Sequence, residues 1–146
     1  MKSPLVLVVG DDSMVKKMLV RFLKNAGIEY EIASNIEKAI DLYHSKMGLI
    51  THIALGGNLG SHLEILDSLP LARLIAVDLK KGVFGGFVFP MSAIGKNNQL
   101  IRDIIGCDDY CQILMGEVHP AKIKIATIKK IIAMIKAERG KSHPPI

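Results

Sequence analysis

Two adjacent carboxylates, Asp11 and Asp12, are the residues of this chain best placed to do chemistry. They close the stretch LVLVVGDDS, Leu5–Ser13, in which an unbroken apolar run stops abruptly at the acids. Such a run suits a strand covered on both faces, as in a parallel sheet. Gly10 then lets the backbone turn, and Ser13 caps the helix that follows. The acidic pair is thereby placed at the carboxyl end of a central strand, where open α/β sheets take their ligands. Two like charges there are costly unless a cation or a hydrogen-bond network meets them. The pattern predicts a cation site, or the remains of one.

Other reactive residue types promise less. His52 falls inside an apolar strand pattern with no second ligand near it, which predicts a buried, hydrogen-bonded imidazole. Cys107 and Cys111 lack the second pair that a structural zinc site needs and read as reduced thiols. The formal charge of +5 gathers towards the end, in Lys122, Lys124, Lys129, Lys130, Lys136, Arg139 and Lys141. No aromatic residue interleaves these cations, so a solvated face is expected rather than specific nucleic-acid recognition. With 146 residues the chain suits one domain, here 1–141, with a flexible tail at 142–146 that carries two prolines. No apolar stretch reaches the length of a membrane span, and no signal-peptide pattern follows Met1, so a cytoplasmic protein without membrane partners is expected.

The elements that must position the acids follow from spacing. Val15, Met18, Leu19, Phe22, Leu23 and Ala26 recur with helical period, and Gly27 ends that helix. Glu29–Ala33 is a short strand, and Ser34 with Glu37 forms a capping box for a helix with Ile36, Ala39, Ile40 and Tyr43 inside. Leu49–Leu55 is a third strand. Ser61 and Glu64 cap a helix that Pro70 stops. Residues 70–86 break the alternation: Leu74–Leu79 reads as an extra strand and Lys80–Gly86 as a glycine-rich turn, an irregular insertion before the strand Phe87–Met91. Leu100, Ile101, Ile104 and Ile105 make a helix stripe closed by Gly106, Tyr110–Met115 is the last strand, and Pro120 opens a helix reaching about Arg139. That helix carries an inner stripe (Ala121, Ile125, Ile128, Ile132, Ile135) and a second set, Ile123, Ile131 and Met134, free to be an interface. Strand–helix alternation means parallel strands and right-handed crossovers.

Four stretches in order resemble the receiver domain of two-component response regulators. Leu5–Leu23 resembles the first strand, acidic pair and first helix; Glu31–Ala39 the second strand and helix start; Ser92–Tyr110 the segment from a switch hydroxyl to the last strand; and Pro120–Ile135 the final helix. The resemblance implies a flavodoxin-like, doubly wound α/β fold with five parallel strands in the order 2-1-3-4-5. It also implies phosphoryl transfer to an aspartate after the third strand, with Mg²⁺ on the acidic pair, a hydroxyl on the phosphoryl group and a lysine ahead of a proline. That chemistry needs an in-line carboxylate, a divalent cation and donors for the equatorial oxygens.

Carried over by position, Asp11 and Asp12 match the acidic pair and Ser92 the switch hydroxyl. The acceptor falls on Gly56, which has no side chain to phosphorylate. The lysine and proline fall on Ile113 and Leu114, or in a slid register on Gly116 and Glu117, and neither restores the lysine. The resemblance is therefore to a degenerate, pseudo-receiver variant. Its expected function is that of a non-enzymatic, phosphorylation-independent interaction module in signal transduction, with Asp11 and Asp12 a vestigial Mg²⁺ pair. Its partner would be another signalling protein or a second copy, bound through the face of the fourth helix, fifth strand and fifth helix, where Ile123, Ile131 and Met134 lie. The alternative is a working acceptor with a displaced aspartate, Asp78, whose AVDLKKG context resembles the acceptor motif locally. Val9–Asp12 is not a dinucleotide-binding glycine loop, which argues against nucleotide enzymes on this fold class.

Overall fold

Leu5–Val9 forms strand β1, and its central position shows in its burial: Val6, Leu7, Val8 and Val9 are all fully covered. The computed structural model describes residues 3–10, 14–56, 68–90, 95–106 and 125–137. Helix α1 (Met14–Asn25) follows, then β2 (Glu29–Ala33), α2 (Ile36–Lys46), β3 (His52–Leu55), α3 (Leu69–Lys81), β4 (Phe87–Pro90), α4 (Gly95–Ile105) and α5 (Ile125–Ala137). The four strands pair in parallel in the order β2-β1-β3-β4. Val6 is flanked by Tyr30 and His52, and Val9 by Ala33 and Leu55, so the carboxyl ends of three strands align on one edge. This is the doubly wound architecture expected; the expected fifth strand, Tyr110–Met115, lies outside the described residues, as does the tail 142–146.

Helices cover both faces. On one, Leu19 and Leu23 of α1 and Ile132 and Ile135 of α5 pack with Val6 and Val8. On the other, Tyr43 of α2, Leu71 and Ile75 of α3 and Ile101 of α4 pack with Leu7, Val9 and Ile53. Alternate β1 side chains thus feed opposite cores, which is why the strand is apolar at every position. Ile132 and Ile135 confirm the inner stripe foreseen for the last helix where it is described; Pro120 and the first turn foreseen for that helix lie outside the described residues. The same holds for the capping box Ser61–Glu64.

Two local expectations are corrected. The cap of α2 is Asn35, not Ser34: its side chain accepts from the Lys38 amide at 2.8 Å, with Asn35 in extended conformation. An amide side chain satisfies the same orphan donor as a hydroxyl, one residue later. Residues 70–86 contain neither an insertion nor an extra strand. Pro70 stands in the first turn of α3, where its missing N–H costs nothing, and begins the helix instead of stopping it. Leu74–Leu79 is helical, with Leu71, Ala72 and Ile75 buried. Gly82 closes α3 at φ 70°, its amide reaching Leu79 O, and the following Val83 amide donates to Asp78 O at 2.9 Å. The chain then runs through Phe84 to Gly86 and into β4. Phe84 lies so close over Gly86 that a Cβ there would sit 2.4 Å from its Cζ and 2.8 Å from Thr51 O.

Candidate functional site

The aligned carboxyl ends of β1, β2 and β3 make the edge where a ligand would sit. Gly10 leaves β1 with its amide on Ala33 O at 3.1 Å, and Gly56 leaves β3 with its amide on Val9 O at 2.7 Å. Backbone hydrogen bonds thus carry the ladder one residue past each strand, fixing both glycines at the edge. Gly56 is buried and offers no carboxylate, so the edge has no nucleophile at that position. Asp11, Asp12 and Ser92 lie outside the described residues; their described chain neighbours, Gly10 and Pro90, lie at the carboxyl ends of β1 and β4.

One further side chain reaches this edge. Lys16, in the first turn of α1, is 8% exposed, with its Nζ 3.4 Å from Gly10 O and 3.5 Å from Ser34 Oγ. Helical side chains lean towards the N-terminus of their helix, so a lysine in the first turn points back at the strand end. The composition of the helix did carry this signal. Lys16, Leu19 and Leu23 fall at i, i+3 and i+7, which puts a cation on the buried stripe.

Asp78 is elsewhere. It sits on α3, one turn from the helix end, and its carbonyl accepts from the amides of Val83 and Phe84 on the way to β4. Because β4 begins there, Asp78 belongs to the amino edge of the sheet, opposite Gly10 and Gly56. The foreseen placement at the end of an extra strand is corrected accordingly. Its carboxylate accepts a 2.7 Å hydrogen bond from the hydroxyl of Tyr43 on α2. Tyr43 is fully buried and meets Phe84 edge-on at 5.5 Å. Burial first, then the Asp78 hydrogen bond and charge, hold the Tyr43 phenol well above its ordinary pKa.

His52 behaves as foreseen. It is 3% exposed, its Nδ1 is 2.8 Å from Thr51 Oγ1, and its ring stacks on Phe87. Of the second apolar set on α5, Met134 is half-buried, Ile131 lies within the helix, and Ile123 is outside the described residues. Leu100, expected inside, is 43% exposed on α4, while the adjacent Ile101 is fully buried. Among the described residues no helix is long and apolar enough to cross a membrane.

No protein-family model matches the chain, and no curated protein does. Solved structures do. The chain superposes on the receiver domain of the Saccharomyces cerevisiae response regulator Ssk1, solved with the histidine phosphotransfer signalling protein Ypd1, with TM-score 0.66 and 18% identity over 94% of this chain and 91% of that one. It superposes on a Francisella response-regulator receiver domain with TM-score 0.60 and 19% identity, covering 92% and 94%. A response regulator receiver protein from Pseudomonas putida gives TM-score 0.60 and 17% identity, covering 92% and 98%. The fold is that of a receiver domain. Within a receiver fold the edge built by Gly10, Ser34 and Gly56 is where a phosphoacceptor and a divalent cation would be expected. Among the described residues at that edge, Gly56 offers no carboxylate and the Lys16 ammonium approaches the Gly10 carbonyl.

Proposed function

We propose that this chain is a receiver-fold signalling module that works without accepting a phosphoryl group. It is non-enzymatic and acts by presenting its surface to another signalling protein or to a second copy of itself. The observation that supports this most is Gly56, tied by its amide to Val9 at the edge where the nucleophile would stand. Phosphoryl transfer to a protein needs an oxygen or nitrogen nucleophile in line with the leaving group. A glycine in this position supplies neither.

The face proposed for recognition is that of α4, the segment expected to form the fifth strand, and α5, with Ile123, Ile131 and Met134. Leu100, 43% exposed on α4, leaves one apolar side chain of that helix open to a partner. Asp78 is a poor displaced acceptor, since its carboxylate is engaged by Tyr43 at the other edge of the sheet.

The test is incubation with acetyl phosphate, and separately with beryllofluoride, in the presence of Mg²⁺, followed by intact mass and peptide mapping. No adduct is expected. Stoichiometric modification of an aspartate would overturn the proposal. Loss of that adduct in Asp78→Asn would then restore the displaced-acceptor alternative.

A further inference from the structure

Pro4 marks where the sheet begins. It has no N–H to give a ladder, and the pairing of β1 with β2 starts one residue later, with Leu5 opposite Glu29. Beyond that first rung, the amino end of the sheet opens into a cleft of about 350 Å³. Its walls are the Ser3–Pro4 segment, the turn between α1 and β2, and Lys136 in the last turn of α5. That volume is at the small end for ligand pockets. The turn has little backbone polarity to spare, because the amides of Ala26, Gly27 and Ile28 donate to the carbonyls of Phe22, Lys24 and Leu23 at 3.0–3.1 Å. Pro4, Ala26 and Ile28 supply apolar surface, and Glu29 and Lys136 supply charge. Both charged side chains are exposed, and among the described residues no hydrogen bond or ion pair engages either of them, with each other or elsewhere. The carboxyl end of α1 adds to the negative side of the cleft, since a helix dipole favours a cation there.

We propose that this cleft binds a small apolar α-amino acid, with its ammonium towards Glu29 and the end of α1, its carboxylate on Lys136 and its side chain on Pro4 and Ile28. Opposite charges that line one concavity without pairing leave room for a molecule carrying both. A purely anionic ligand meets Glu29 with the wrong sign, and a purely cationic one meets Lys136, so the two side chains together select a zwitterion. The cleft lies at the opposite end of β1 from Gly10 and Gly56. It therefore goes beyond the function proposed above and stands whether or not the carboxyl edge accepts a phosphoryl group. An occupant joins the last turn of α5 to the first rung of the sheet, which gives a small molecule access to the helix that carries Ile131 and Met134.

The experiment titrates the full chain with L-leucine and follows backbone amides by NMR. Two analogues run alongside: 3-methylbutylamine, which lacks the carboxylate, and 4-methylpentanoate, which lacks the ammonium. Leucine is expected to give saturable shifts at the Gly27, Ile28 and Glu29 amides with a millimolar dissociation constant. Each analogue is expected to bind at least ~3-fold more weakly, within what one exposed ion pair contributes. Glu29→Gln should weaken leucine and the amine but not 4-methylpentanoate, whereas Lys136→Met should weaken leucine and 4-methylpentanoate but not the amine. Both substitutions fall on exposed side chains, and where a variant does not fold the analogue series on the wild type decides alone. Leucine shifts that are absent, do not saturate or centre elsewhere overturn the inference. So does an analogue that matches leucine, or a folded variant whose losses do not follow its charge.

Discussion

At the scale of single residues, the Tyr43–Asp78 pair shows how one side chain acquires its role from its surroundings. The phenol is buried and donates to a carboxylate on the next helix, so α2 and α3 are joined by a charge-assisted hydrogen bond. Tyr43→Phe should lower stability by about 1.5 kcal/mol in urea denaturation, the low end for a bond to a charged group, because the half-exposed carboxylate regains water. The same geometry sets a pH dependence. The folded state holds the Tyr43 proton above the ordinary value of 10.0 that the unfolded chain shows. This contribution is therefore fully present below pH 10 and falls away as the pH rises beyond it, because only the unfolded phenol ionises there. Unfolding free energies measured between pH 9 and 11 should fall more steeply with pH in the wild type than in Tyr43→Phe. Equal slopes would mean that the phenol is not held protonated by the fold.

At the scale of elements, the segment from Leu69 to Pro90 tests how termini are encoded. Pro70, the pair Lys80–Lys81 and Gly82 are start and stop signals for one helix, with leucine and isoleucine at helical spacing between them. The sequence around Leu74–Leu79 nevertheless reads equally as a strand, since a short apolar run does not reveal its period by itself. The two glycines after α3 should respond differently to the same change. Gly82→Ala meets no neighbour but forces a left-handed residue, at a cost of about 1 kcal/mol. Gly86→Ala drives a methyl into the Phe84 ring and the Thr51 carbonyl, and should cost about 2–3 kcal/mol, since backbone yields less readily than a side chain. Chemical denaturation of the two variants side by side checks the order; a reversed order would mean that Phe84 does not lock the approach to β4.

At the scale of the whole molecule, β1 divides the interior into two cores that share no side chains. Ile75→Val on one face and Ile135→Val on the other should each cost about 1 kcal/mol. The double variant should cost their sum within about 0.5 kcal/mol, because the sheet separates the sites. Strong coupling between them would mean that the two layers rearrange together. This two-sided burial also explains why likeness to receiver domains is carried by architecture at 17–19% identity. Alternating apolar strands and amphipathic helices dictate the fold, whereas the chemistry rests on a few residues at the strand ends.

Along the chain itself, apolar runs ended by glycine and helical stripes ended by caps sufficed to determine the parallel sheet and its first three strands with the two helices between them, but not the helix Leu69–Lys81. These are local properties, set by period and by the conformations that glycine and proline allow. The positions of Lys16 and Asp78 relative to the two edges of the sheet depended on tertiary structure. Lys16 reaches the carboxyl edge because α1 starts there and its first-turn ammonium meets the Gly10 carbonyl, and Asp78 belongs to the amino edge because α3 runs back along the sheet. Which edge a charged side chain serves depends on the direction of the helix carrying it and on what covers its stem. Neither quantity exists until the layers are packed.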